Sequence, residues 1–140
     1  MNLGLQRKTD LALMAIAVLA RSDGLVNGAD LAERLETTAT FLPQVMSPLV
    51  KAGWVTSERG PRGGYRLSPA GAEVSLLDII EENEGPTRSG RCVLRQGECP
   101  GEVLCPIHDV WIEARRVLME GLAGMTARNT QWNALTGSET

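Results

Sequence analysis

The sequence is short of several features that mark common activities. It holds a single histidine among 140 residues, and it has no H-E-x-x-H, no G-x-S-x-G and no G-x-x-x-x-G-K-[ST]. Zinc hydrolases, serine hydrolases with a nucleophile elbow and P-loop nucleotide hydrolases each need one of those sets at that spacing. The glycines at Gly60, Gly63 and Gly64 lack a Walker lysine, so the chain reads as a non-enzyme. Aromatics make up only 4% of it, which leaves small aliphatic residues to fill a core. The apolar run Leu11 to Ala20 falls short of the roughly 20 residues that cross a bilayer. Arg21, Ser22 and Asp23 follow that run where a secretory signal would carry small residues for cleavage. A cytoplasmic protein with no membrane partner is therefore expected. Thiols stay reduced there, so Cys92, Cys99 and Cys105, an odd number, read as metal ligands or redox groups before they read as disulfides.

What is present fits a soluble globular chain: 43% hydrophobic and 22% charged residues. Its length suits one domain, or a small domain with an added dimerisation element. The net charge of -3 is unevenly spread. Residues 1–69 hold eight Lys and Arg against six Asp and Glu, a net of +2, while the remainder holds six against eleven, a net of -5. A locally basic surface can attract phosphate even on an acidic chain.

Hydrophobic spacing predicts a mainly α protein with one small β-hairpin. A first helix over 9–21 buries one face through Leu11, Met14, Ala15, Val18 and Leu19. A second opens at an Asn27 cap and turns Leu31 and Leu35 inward. A third, FLPQVMSPLVKAG, is capped by Thr40, tolerates Pro43 in its first turn, kinks at Pro48 and stops at Gly53. WVTSERGPRGGYRLS reads as a Gly-tipped hairpin, and Ser75 with Asp78 opens a fourth helix that ends at Gly85. Pro106 suits the first position of a long fifth helix, with Cys105 as its N-cap. Its apolar stripe, with Trp111, Ala114, Leu118 and Leu122, needs a partner, and the natural one is a second copy. The tail from Thr126 is a docked short helix or frayed. The expected organisation is a winged helix-turn-helix domain over 1–85, a cysteine-rich cluster-binding loop over 86–106, and a dimerisation helix with tail over 107–140.

Three short helices followed by a basic hairpin are the parts of a winged helix-turn-helix that binds duplex DNA. Thr38, Thr40, Phe41 and Gln44 around the start of the third helix are the candidate major-groove contacts. Arg59, Arg62 and Arg66 flank Gly63 and Gly64 in the wing, where no core calls for three arginines. The cysteines run C-x6-C-x5-C and then C-x2-H, in a polar loop where inert cysteine would be out of place. Thiolates of this kind select zinc, copper(I) or an iron-sulfur cluster. His108 follows Cys105 by three residues and so projects near the same face. Histidine ligation has precedent in two-iron centres, which favours a 2Fe-2S cluster if iron is the metal.

TDLALMAIAVLA, LVKAGWVTSERGPRGGYRLS, SLLDIIEENEG and the three-cysteine loop together resemble the Rrf-type family of bacterial winged-helix transcription regulators. The likeness covers residues 3 to about 125, and the RGPRGGYRL wing and the cysteine triad are its most specific parts. The resemblance implies a homodimer on the long helix, a palindromic duplex operator and an iron-sulfur cluster whose state sets DNA affinity. Cys92, Cys99 and Cys105 would be ligands, with His108 as the fourth in one style of member and Asp10, from the partner subunit of a 4Fe-4S form, in another. The first cysteine gap is one residue longer than in many relatives, and Pro43 and Pro48 stand in the reading helix, so no operator sequence is carried over. A repressor responding to cluster status, nitric oxide, redox state or iron is the leading reading. The alternatives are a regulator with structural zinc or bare sensing thiols, and a small iron-sulfur electron carrier.

Overall fold

A computed structural model describes residues 5–85 and 106–130. Its elements are α1 (Arg7–Ala20), α2 (Gly28–Arg34), α3 (Leu42–Lys51), β1 (Val55–Glu58), β2 (Gly64–Leu67), α4 (Pro69–Glu73), α5 (Leu76–Glu84) and α6 (His108–Ala123). The described residues are thus mainly α with one antiparallel hairpin, as the spacing predicts.

The organising element is α1. Leu11, Ala12 and Leu13 are buried in succession, with Ala15, Ile16, Ala17 and Leu19 beyond them. The expectation of one buried face is too narrow, because α1 packs against α3, α5 and β2. A helix covered on several sides is apolar nearly all round, and its alanines allow close approach. The most completely buried large side chains are aliphatic or methionine, namely Leu11, Ile16, Leu31, Leu35, Val45, Met46, Leu49, Val55 and Ile79, with Thr9 as the polar exception.

Local signals set the ends of α2 and α3. Asn27 Oδ1 accepts from the Ala29 N–H at 2.8 Å. At the far end the Thr37 N–H donates to the Ala32 carbonyl and the Glu36 N–H to that of Glu33, with Glu36 at φ 54. This is a Schellman closure with glutamate where glycine is usual. The cap of the next turn is Thr38, whose Oγ1 accepts from the Phe41 N–H at 3.0 Å. The expected Thr40 cap is not formed, since the N-cap position of α3 is Phe41 and no side chain caps the helix itself. α3 runs through Pro48 as one element and ends in a second Schellman closure, with Gly53 at φ 83 and the Trp54 N–H on the Leu49 carbonyl.

The hairpin pairs Val55 with Leu67 and Glu58 with Gly64 at its two ends. A third strip of backbone joins it, since Val26 bridges to Tyr65. Ser68 then caps α4, a one-turn element that hydrophobic spacing does not reveal, by accepting from the Gly71 N–H at 3.0 Å. Ser75 caps α5 as expected, accepting from the Asp78 N–H at 3.0 Å, and Gly85 ends it at φ 87. α6 opens at His108 with Ile107 as its N-cap. Pro106 therefore lies in the turn before the helix, and Cys105 is not the N-cap; start positions of this kind shift by a residue or two with the tightness of the first turn.

The residues after α6 dock. The Leu76 N–H donates to the Met125 carbonyl at 2.8 Å, and Ser75 and Thr126 form a bridge. Ala127 is buried, and Arg128 reaches Glu73 at 2.9 Å. Asn129 closes the turn by accepting from the Thr126 N–H and donating to the Gly124 carbonyl. Among the described residues no helix is long and apolar enough to cross a membrane.

Candidate nucleic-acid interface

Two faces of α3 do different work. Leu42, Val45, Met46 and Leu49 enter the core, while Pro43, Gln44, Ser47 and Lys51 are exposed. Thr38 and Thr40 are exposed in the preceding turn. Gln44, Ser47 and Lys51 fall at i, i+3 and i+7, so they lie along one strip of the helix surface. Ser47 and Lys51 are missing from the residues expected to touch DNA, although the same periodicity that locates the buried face finds them. Phe41 goes the other way. Named as a DNA contact, it is half-buried and packs against the core.

The wing carries Arg59, Arg62 and Arg66, all exposed. No ion pair engages any of them among the described residues. Three unneutralised guanidinium groups on one hairpin make an electropositive surface with the chemistry to attract phosphate. Glu58 and Glu36 are exposed acids on the same part of the molecule.

Gly63 and Gly64 have an intramolecular reason to be glycine. A Cβ on Gly63 would stand 2.1 Å from the Glu58 carbonyl oxygen, and one on Gly64 would stand 2.2 Å from that of Val26, with Gly64 at φ 152. The sequence suggests openings for the DNA backbone at these two positions; their geometry first serves the closure of the hairpin on Val26.

The long helix divides its apolar stripe. Trp111, Arg115, Met119 and Leu122 are half-buried, with Leu122 packed on the core. Ala114 and Leu118 are exposed, together with Val110 and Val117, and the exposure of Leu118 is 56%. The four residues expected at a dimer contact thus fall into two pairs: Trp111 and Leu122 turn toward the protomer's own fold, and Ala114 and Leu118 belong to an arc left open. On the outer side Arg116 is pinned between Glu113 and Glu120, and that contact holds the Glu113 carboxyl below its ordinary range.

Of the expected metal ligands, Cys92, Cys99 and Cys105 lie outside the described residues. Asp10 is at the surface and pairs with Arg7 at 3.2 Å. Its neighbour Thr9 is fully buried with an unpartnered Oγ1. His108 is half-buried in the first turn of α6. Among the described residues no three metal-binding side chains gather. Three thiolates with one imidazole or carboxylate nonetheless make a donor set chemically suited to an iron-sulfur cluster.

A helical core, a reading helix with an exposed polar strip and a basic wing tied to the segment before α2 define a winged-helix transcription regulator. The sequence profile described as "Rrf2: Iron-dependent Transcriptional regulator" matches residues 5–129, and the chain belongs to the Rrf2 family. It is 32% identical over 115 residues to the HTH-type transcriptional regulator IscR of Aliivibrio salmonicida, covering 82% of this chain and 67% of that one. A putative HTH-type transcriptional regulator of Aquifex aeolicus is 31% identical over 121 residues, 84% of each chain. Among solved structures, T. potens IscR superposes with a TM-score of 0.71 at 25% identity, over 100% of this chain and 94% of that one. CymR of B. subtilis, titled its global cysteine regulator, superposes with a TM-score of 0.72 at 26% identity, over 99% and 100%.

Proposed function

We propose that this chain is a cytoplasmic repressor that binds a palindromic duplex operator as a homodimer and carries an iron-sulfur cluster that governs its affinity. The observation that carries the reading is the set of three unpaired wing arginines beside the exposed Gln44–Ser47–Lys51 strip of α3. In a two-fold dimer two such surfaces meet successive major grooves on one face of the duplex, with half-sites about one helical turn, or a multiple of it, apart. Thr38, Thr40 and Gln44 face the bases or the sugar-phosphate edge, and Arg59, Arg62 and Arg66 hold phosphates. The open arc of α6 at Val110, Ala114, Val117 and Leu118 takes the same arc of a second copy.

Cys92, Cys99 and Cys105 ligate the cluster, with His108 as the fourth ligand of a 2Fe-2S centre. Asp10 of the partner subunit is the alternative, in a 4Fe-4S centre that would tie one subunit's cluster to the other's DNA-binding domain. Asp10 pairs with Arg7 at the surface and would have to leave it to reach a cluster of the partner. The cluster supplies a redox- and nitric-oxide-sensitive group. The protein's residues supply its thiolates and the DNA surface.

A second reading is a regulator without a cluster, using zinc or bare thiols; the likeness to CymR, titled a cysteine regulator, favours it. Protein purified without oxygen decides between them. Brown material with visible charge-transfer bands and salt-dependent duplex binding supports the first reading. Colourless material, with or without stoichiometric zinc, supports the second.

A further inference from the structure

The tip of the wing is thin, and it carries one long side chain. Beyond Arg59 the chain reverses over residues 60–63, where the Gly63 N–H donates to the Gly60 carbonyl at 2.9 Å. That bond closes a four-residue turn with Pro61 in its second position, where the fixed φ of proline suits such a turn. Gly60 stands at φ 101, a conformation that costs glycine little and other residues much. The two limbs of the turn touch: a Cβ on Gly63 would stand 2.1 Å from the Glu58 carbonyl oxygen and 2.8 Å from the Arg59 carbonyl carbon. No side chain fits between them.

The three wing arginines are therefore not equivalent. Arg66 lies within β2, level with Thr56 of β1, and Arg59 follows the last residue of β1. Arg62 takes the third position of the turn, at the apex of the hairpin, between Pro61 and Gly63. It is exposed, and no ion pair or hydrogen bond engages it among the described residues. Closing the hairpin does not call for a cation at that position.

A duplex offers such a tip two places, the phosphates along its outside and the minor groove. The minor groove is about 6 Å wide, which excludes a helix but admits a slim turn that leads with one side chain. Phosphate attraction alone would be served by a lysine, and by a broader tip. A guanidinium is planar and more weakly hydrated than an ammonium, so it gives up water more readily in a narrow groove where the negative potential of both strands is concentrated.

We infer that Arg62 enters the minor groove and reads its width, so that the chain prefers operators with a narrow, A·T-rich run where the tip of the wing falls. Arg59 and Arg66 stay with the flanking phosphates. The inference rests on the reading that the wing meets duplex DNA. It adds a sequence preference outside the major groove, set by groove shape and by the absence of the guanine amino group from the groove floor.

The test uses the full-length chain and duplexes selected from a random pool for binding to it. Diaminopurine replaces adenine, one A·T run at a time; it adds an amino group on the minor-groove edge and keeps the major-groove edge of adenine. In anisotropy titrations the native protein should lose affinity at least about fivefold when the run that meets the wing in each half-site is modified. Changing that run to G·C should weaken binding similarly, and inosine in place of guanine, which removes the amino group again, should return affinity to within about twofold of the parent duplex.

Two variants separate this contact from phosphate attraction. Arg62→Lys keeps the charge, so its salt dependence should match that of the native protein, while its loss on the modified duplexes should shrink below about twofold. Arg66→Ala should weaken binding to every duplex alike and keep the native discrimination. A native protein indifferent to the added amino group at every run, or an Arg62→Lys protein that discriminates as the native one does, overturns the inference while leaving salt-dependent DNA binding in place. A chain that retains no duplex from the pool overturns the DNA reading and the inference together.

Discussion

Val26 and Tyr65 exchange two backbone hydrogen bonds, the Val26 N–H donating to the Tyr65 carbonyl at 2.8 Å and the Tyr65 N–H to the Val26 carbonyl at 2.9 Å. This single pair ties the segment entering α2 to the second strand of the wing. The wing is thus tied by backbone hydrogen bonds to the segment that leads into α2 as well as by its own pairing.

That linkage makes Gly64 a sensitive position. Gly64→Ala puts a Cβ within 2.2 Å of the Val26 carbonyl oxygen, in a backbone conformation that side chains rarely adopt. The change should cost about 2–4 kcal/mol in urea unfolding and weaken DNA binding along with it. Gly24→Ala, where no atom lies within 4 Å of the added carbon, is the control and should stay within about 0.5 kcal/mol of the parent.

Replacing Arg59, Arg62 and Arg66 together with alanine should leave the fold intact, because all three are exposed. The salt dependence of operator binding should flatten by about 0.9 in the slope of log K against log salt for each phosphate that is no longer neutralised. An unchanged slope and affinity in fluorescence anisotropy titrations would remove the wing from the interface.

Leu118 and Leu122 should separate assembly from folding. Leu118→Glu touches an open surface and should yield a folded monomer in sedimentation, with thermal stability of the protomer nearly unaltered. Leu122→Ala removes packing from the core and should cost about 2 kcal/mol while leaving the dimer interface in place. A Leu118→Glu protein that sediments as the parent does would show that the open arc is not the dimer face.

Glu36 holds a left-handed conformation at the turn between α2 and α3. Glu36→Gly should raise stability by about 0.5–1 kcal/mol, because glycine meets no steric penalty there. On a domain of this size that is a rise of about 2–5 °C in Tm by calorimetry. Removing an acid beside the phosphate-facing surface should also tighten DNA binding slightly, most visibly at low salt.

Features governed by near neighbours in the chain are readable from the sequence. Asn27 and Ser75 cap their helices because a short side chain can reach an N–H two or three residues on, and that depends on little else. The hairpin follows from glycines between alternating residues. α4 is also readable in principle, since Ser68 followed by Pro69 is a helix-start signature, but hydrophobic spacing over five residues carries no weight beside it. That Thr38 and not Thr40 makes the side-chain bond is less legible, because three threonines within four residues leave the choice open.

Features decided by distant partners are not readable. The bridge between Val26 and Tyr65 is one residue pair, too small to leave a pattern. The stripe on α6 shows that apolar residues share an arc, but not that Trp111 and Leu122 are covered by the protomer while Ala114 and Leu118 are left open. Phe41 is of the same kind: an aromatic in a polar turn reads as exposed until the core beneath it is seen. Ser47 and Lys51 follow from extending the spacing of Gln44 along the helix.

The docked turn after α6 bears on how such a chain can change over time. Ser75–Thr126 and Glu73–Arg128 fasten the C-terminal end of α6 to the start of α5, so these two helices have ties of their own beyond the covalent link between them. A sequence change that leaves those ties in place leaves the helix with the open arc joined to the domain that carries α3 and the wing, and each of the two surfaces can then diverge without detaching from the other.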